Sequence, residues 1–461
     1  MEWVEETTVS QVLAGVRVLD FGRYIAGPYC GALLADYGAE VIRIEKRGGG
    51  EDRFVAPVSA SGEGGLFMQM NRNKKSVTLD PMTSEGAAVV RRLVATADVV
   101  IANLPAPTLK AMKLDYDSLR ATRDNIILAT ASAFGATGPY AERVGFDSIG
   151  QAMSGAVFMT GEPGQPYRAS IPYVDFGTAL ALAFGTLAAL MERGRTGKGQ
   201  IVEGALLRTA LNMMGPALIE QAVIKADRVP TGNRGQTSAP SDILPTKDGF
   251  VLVAVVGQPL FVRWAKLMGN EEFWLNDARF KDDLARGDNA TLVSARMREW
   301  CAERTTAEAI AALEASRIPA GPVLSPQQAL DDEHVVATGY LQPVDYPGAR
   351  AGAGAAESCL FVGNPRRNPH PRAAARRTHR GGAGEHRLFG AGDRGVAGEG
   401  RGVRRQTRRV SSRRPSSRYC RLRFDRRRWR WPRWDRSSSI ARRAQRCSDG
   451  IFQSRLQNRL R

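Results

Sequence analysis

The chain has 461 residues, enough for two or three domains with their own cores, and its formal charge of +18 invites a nucleic-acid or membrane partner. The charge is not spread evenly: residues 351–461 hold 30 Arg, no Lys and 7 acids, a net of +23. Residues 1–350 therefore carry 35 basic and 40 acidic residues, a net of −5, so the body reads as a mildly acidic soluble protein without a polycation's partners.

The first ten residues, MEWVEETTVS, lack the basic and apolar regions of a secretory signal. Short β-branched runs at 16–20, 41–45, 76–79, 99–101 and 125–130 alternate with helical patterns at 30–37 and 84–96. This order predicts a Rossmann-like domain with a mostly parallel sheet, in the α/β class. Ligands of such sheets bind beyond the carboxyl ends of the strands, so the loops after Leu19, Ile44, Leu79 and Ile101 are candidate binding loops. The charge-free run 176–191 predicts a buried helix, and it is shorter than the roughly 20 residues that cross a bilayer. Asp175 stands directly before this run. It is either a helix N-cap or a nucleophile, and pattern alone leaves both open. The turn Thr196–Gln200 precedes a further strand at 200–203. It lacks the spacer and the Ser/Thr of a P-loop.

A smaller α+β unit is expected over 231–325, with a strand at 250–256 and helices at 259–268, 290–303 and 306–315. The domain reading is a large domain over 1–215, a linker over 216–230, the small domain, a return linker over 326–350 and an Arg-rich tail over 351–461. Sustained periodicity stops near residue 350. Only Cys30 and Cys301 lie in the body, which fits a reducing, cytoplasmic setting. Its one histidine, His334, rules out a His-based triad there and disfavours a zinc site. Carboxylates and Gly-rich loops remain as the chemistry on offer.

Residues 15–52 (GVRVLDFGRYIAGPYCGALLADYGAEVIRIEKRGGGED), FMQMNRNKKSVTLD, ADVVIANLP, GATGPYAERVGFDSIGQAMSG and the segment around Asp175 resemble, in order, the class III CoA-transferases. That group includes formyl-CoA:oxalate, carnitine and bile-acid CoA-transferases and an α-methylacyl-CoA racemase branch. TGNRGQTSAP, KDGFVLV and RIPAGPV continue the likeness, which covers about residues 15–347. The resemblance implies an interlocked homodimer, no tightly bound cofactor, and a coenzyme A thioester and a carboxylic acid as substrates. It implies that Asp175 attacks the thioester and passes through aspartyl-anhydride and aspartyl-CoA intermediates. A carboxylate at its ordinary pKa would do so ionised and without a base.

The resemblance also places CoA contacts. Ile25 and Ala26 fall beside the thioester, Lys46 near the nucleotide, and Leu79 and Asp80 on the adenosine side. Asn103, Leu104 and Pro105 form the next loop. Val144, Gly145, Phe146 and Asp147 line the mouth, with Asp147 as a supporting acid or a helix cap. Met82 and Ala111 replace two cations of the formyl-CoA branch, with Lys110 or Lys113 as a substitute for the second in binding the CoA phosphates. Ile25 and the shortened loop 232–236 point away from formate and oxalate, toward a larger and less polar acyl group. The racemase branch has a His where this chain has Phe146, so racemisation lacks that acid/base partner and stands only as the alternative reading. The tail, 351–461, reads either as an out-of-frame, disordered extension or as a nucleic-acid-binding arm with Trp429, Trp431 and Trp434 as stacking groups. A nucleic-acid partner and a membrane partner are not expected for the body.

Overall fold

The computed structural model describes residues 11–341 and the backbone of 342–345 and 358–362. The rest of the tail lies outside the described residues, and with it both readings of that segment. In chain order the large unit runs β1 (Arg17–Asp20), α1 (Ala26–Asp36), β2 (Glu40–Glu45), α2 (Gly65–Met70), β3 (Lys75–Thr78), α3 (Ser84–Val94), β4 (Val99–Ala102), α4 (Ala106–Ala111), α5 (Tyr116–Thr122) and β5 (Ile127–Ser132). Then follow α6 (Asp147–Met153), α7 (Ala156–Met159), a ribbon of β6 (Gly161–Glu162) and β7 (Gln165–Pro166), α8 (Tyr173–Thr196), β8 (Ile201–Ala205), α9 (Leu206–Met213) and α10 (Gly215–Ile224). The stretch read as a linker, 216–230, thus carries most of α10.

Six strands form one sheet in the order β3-β2-β1-β4-β5-β8, and every pairing is parallel. Side chains alternate across it, as the two-residue period requires. Val18, Val99 and Ile101 face a core with α1 and α8; Leu19, Val100 and Ala102 face a second core with α3, α4 and α5. All four residues of β4 are buried, as expected of a strand covered on both faces. A parallel sheet collects its strand ends on one edge, so the loops after β1, β2, β3, β4 and β5 share that edge.

Local chemistry sets the helix ends. Thr83 accepts from Gly86 N at 3.0 Å and starts α3, whose first turn holds Glu85 and last turn Arg91 and Arg92. Helix α1 begins four residues earlier than the sequence reading placed it. Pro28 fits its first turn because the amides there have no intrahelical acceptor to lose. Helix α8 is longer than the apolar run and closes on Gly197 at φ +73. Among the described residues it is the one helix long and apolar enough to cross a membrane. Val174, Ala179, Leu182, Ala183 and Ala189 instead pack it into the core beside α1. Its other face corrects the expectation of an all-round buried helix: Leu180, Phe184 and Met191 are exposed.

The small unit is an antiparallel sheet of β9 (Ser241–Pro245), β10 (Phe250–Ala254) and β11 (Ala320–Pro322), in the order β11-β10-β9. Helices Gln258–Met268, Ala290–Ala302 and Thr306–Ala315 cover it around Phe261, Trp264, Trp274, Phe280 and Trp300. Beyond it, Leu341–Asp345 pairs antiparallel with Ser358–Val362. Regular structure therefore continues past residue 350, beyond the point where the sequence periodicity ends. The run Ser-Cys-Leu-Phe-Val has the β-branched and aromatic content that a strand favours.

Candidate active site

Asp175 lies in the first turn of α8, but it is not the N-cap; that position is Pro172, whose ring carries no acceptor for the helix amides. The free amides of the first turn are satisfied from another helix. Asp147, the first residue of α6, accepts from Val174 N at 2.7 Å and Asp175 N at 3.0 Å through one oxygen, Oδ2. Its other oxygen accepts from Gln151 Nε2. Gln151 Oε1 in turn accepts from Ala169 N at 3.0 Å, on the segment entering α8. Asp147 is thus a cap, for α8 rather than for its own helix, and Phe146 is the N-cap of α6. The helix dipole and two amides stabilise its charge while it is almost fully buried.

This arrangement leaves the Asp175 carboxylate without a hydrogen-bond or ion-pair partner among the described residues. It is half-buried, and that burial, followed by the like charge of Asp147, pushes its pKa up to about 7. The sequence reading assumed an ordinary carboxylate. The shift comes from packing and from Asp147, neither of which a local segment displays. A raised pKa makes the ionised form more basic, and so a stronger nucleophile once formed.

The loops named from the sequence meet here in part. Asn103, at the end of β4, clamps the loop after β1: its Oδ1 accepts from Arg23 N at 2.6 Å and its Nδ2 donates to Arg23 O at 2.8 Å. A Cβ on Gly27 would lie 2.9 Å from that Oδ1, so the close approach requires glycine. Tyr24 is held at φ +58, a strained setting for a non-glycine residue, and its ring meets Phe146 edge-on at 5.7 Å. Tyr29, in the first turn of α1, meets Phe176 at 5.1 Å. Ile25, Ala26, Asn103, the 144–147 loop and Asp175 therefore form one cluster. Ile25 and Ala26 are buried, so a ligand would reach their backbone rather than their side chains. Val144 and Phe146 are exposed at the mouth.

Lys46 joins through a bridge. Glu51 pairs with Lys46 and, at 2.8 Å, with Arg23, and the Lys46 hydrogen bond holds its carboxyl down at about 2. Exposed pairs of this kind are weak, so a phosphate could displace Glu51. Leu79 N bonds Glu45 O at 2.9 Å, beside Lys46, but its side chain packs in the core with Leu104. Asp80 spends Oδ1 on Met82 N, and Pro105 is the exposed N-cap of α4. Asp80 and Pro105 make no contact with the Asp175 cluster among the described interactions.

Beneath the loops lies an ionic network that motif reading did not assign. Lys74 Nζ donates to Asp20 Oδ2 and Pro28 O, each at 2.6 Å, and to Asn71 Oδ1 at 3.0 Å. Arg43 bonds Asn71 at 2.7 Å and Asp52 at 2.8 Å, and Arg53 bonds Glu45 at 2.5 Å. Burial alone would raise Asp20, but Lys74 and Arg43 outweigh it and hold the carboxyl below its usual range. The network ties β1, β2 and α1 where the binding loops leave the sheet. The signal was in Asn71-Arg72-Asn73-Lys74, four polar residues directly before a strand.

Fold and site define a doubly wound α/β protein in which the Asp175 carboxylate, unpartnered among the described residues, lies at the ligand edge of the sheet. The model of CoA-transferase family III matches residues 13–375. The chain is 36% identical over 328 residues to succinyl-CoA–D-citramalate CoA-transferase of Chloroflexus aurantiacus, spanning 70% of this chain and 81% of that one. It is 35% identical over 341 residues to succinate–glutarate CoA-transferase of Agrobacterium fabrum, spanning 71% and 84%. A CAIB/BAIF family protein from Brucella suis superposes with a TM-score of 0.65 at 32% identity, over 78% of this chain and 96% of that one. The chain belongs to CoA-transferase family III, and it is an enzyme of that class, acting on acyl-CoA thioesters and carboxylic acids.

Proposed function

We propose that Asp175 carries the acyl group and then coenzyme A through four exchange steps. Its carboxylate oxygen attacks the thioester carbon, the C–S bond breaks, and an aspartyl–acyl anhydride and CoA thiolate result. The thiolate attacks the aspartyl carbonyl and expels the first acid, leaving an aspartyl-CoA thioester. The acceptor carboxylate attacks that carbonyl and releases the thiolate. The thiolate then attacks the acceptor's acyl carbon, giving the new acyl-CoA and free Asp175. Each step exchanges one activated acyl for another and needs no proton transfer. The observation that carries this reading is the unpartnered carboxylate with its pKa raised to about 7, in the first turn of α8. The amides of that turn are spent on Asp147, so they do not quench Asp175.

The relatives' names point to short dicarboxylic acids such as succinate and glutarate, a departure from the less polar acyl group suggested by Ile25. We take succinyl-CoA and glutarate as the first pair to assay. Asp175→Asn should abolish transfer while CoA binding persists; unchanged turnover in that variant would remove the mechanism. Racemisation finds no support at the mouth, where the candidate position is Phe146, a group that carries no proton. The exposed apolar faces of α8 and α10, including Phe184, Ile219 and Val223, support a homodimer in which a second copy covers them. Both body cysteines are buried and free, consistent with a cytoplasmic enzyme.

A further inference from the structure

A dicarboxylic acyl group brings a second charge into the site, and stripping water from that charge is costly unless a cation replaces the water. Most cations near the sheet's carboxyl edge are already engaged. Arg23 and Lys46 face Glu51, Lys74 faces Asp20, and Arg143 lies over the Tyr140 ring at 4.5 Å. Arg47, Arg208 and Arg168 have no carboxylate partner among the described residues, Arg208 reaching only Glu203 O. Of these, Arg168 is the one joined to the Asp175 turn; it is exposed and its guanidinium reaches only the neighbouring Ala169 O, at 3.3 Å. Its backbone is nonetheless pinned on both sides. Tyr167 N bonds Thr160 O at 3.0 Å across the β6–β7 ribbon, and Ala169 N bonds Gln151 Oε1 at 3.0 Å. That same Gln151 side chain donates to Asp147, whose second oxygen holds Asp175 N at 3.0 Å. One glutamine thus couples an unpaired guanidinium's backbone to the turn that presents Asp175.

We propose that Arg168 binds the distal carboxylate of a dicarboxylic donor or acceptor while the other carboxyl reacts at Asp175. The assignment rests on the reading of Asp175 as nucleophile. A guanidinium suits this task because its planar fork offers two parallel hydrogen bonds to a carboxylate, and a pinned backbone reduces the ordering cost of binding. Arg168 is a specificity residue here; it takes no part in bond making.

The test compares full-length wild type, Arg168→Ala and Arg168→Lys with glutarate and with pentanoate, the acid of equal chain length without the second carboxylate. Loss of a charge-assisted pair should raise KM for glutarate about tenfold or more in Arg168→Ala. The pentanoate KM should stay within about twofold, and Arg168→Lys should recover part of the glutarate preference. Equal losses with both acids, or no loss with glutarate, overturn the assignment. Calorimetric titration of each acid separates it from the chemistry. If the chain moves CoA to neither acid, yet glutarate binds more tightly than pentanoate and Arg168→Ala erases the difference, Arg168 stands and the nucleophile reading falls. If wild type binds the two acids alike, the assignment of Arg168 falls.

Discussion

Asp175 and Asp147 are neighbours with opposite fates. Both are carboxylates near the start of α8, but Asp147 takes the helix amides and Asp175 takes none. The raised pKa of Asp175 sets a pH dependence. Because the nucleophile must be ionised, kcat/KM for the acyl donor should fall about tenfold per unit as pH drops below about 7, and level off above it. Asp147→Asn keeps an oxygen to accept from Val174 and Asp175 but removes the like charge, so its acid limb should move to lower pH. It should move only part of the way, since burial is the larger cause. An unchanged limb would mean that Asp147 acts through the helix alone. For stability the sign runs the other way. The unfolded chain holds Asp175 near its ordinary pKa, so ionising it in the folded protein costs stability as pH rises from about 4 to about 7. Asp175→Asn should therefore raise Tm at pH 8 more than at pH 4. Lys74 makes a third case. In Lys74→Met, Asp20 would stay buried without its ion-pair partner, left with the Gly22 amide and the field of Arg43, which should cost up to about 3 kcal/mol in urea denaturation. Adding Asp20→Asn should return part of that loss, as double-mutant coupling of a contacting pair requires.

Among the elements, the parallel strands were the most legible in the sequence. Val99-Val100-Ile101 and Val41–Glu45 are short β-branched runs spaced for crossover helices, and the strands lie within about two residues of those readings. The α1 start was less legible because Gly27-Pro28 looks like a loop, whereas a first turn tolerates both. Strand β9 and the helix Glu271–Asn276 went unread, being short and stabilised by packing around Trp264 and Trp274 rather than by their own pattern. The site was legible as a set of loops, since parallel-sheet topology names the edge. The link from Asp147 and Gln151 to α8 was not, because it joins residues 27 and 28 positions apart through side chain–backbone bonds. That link has its own test. Asp147→Ala should speed hydrogen exchange at the Val174 and Asp175 amides about tenfold, the scale of a lost helix cap. Retained protection there would show that packing alone holds the turn.

For the whole molecule, the apolar outer faces of α8 and α10 are the ground of the dimer proposal. Phe184 is 76% exposed and Val223 74%, and exposed apolar side chains of that size are what the proposed second copy would cover. Phe184→Glu should shift the mass measured by light scattering from dimer toward monomer; a monomeric wild type would remove the dimer proposal. The net charge of −5 over residues 1–350 sits with an enzyme that takes anionic substrates through a few placed cations rather than a broad basic surface. The central claim, that Asp175 becomes covalently acylated, is tested most directly by trapping. The enzyme is incubated with succinyl-CoA, quenched with hydroxylamine or borohydride, and digested for peptide mass mapping. The modification should fall on Asp175 and nowhere else; turnover with no label there, or with the label on another residue, would contradict the account.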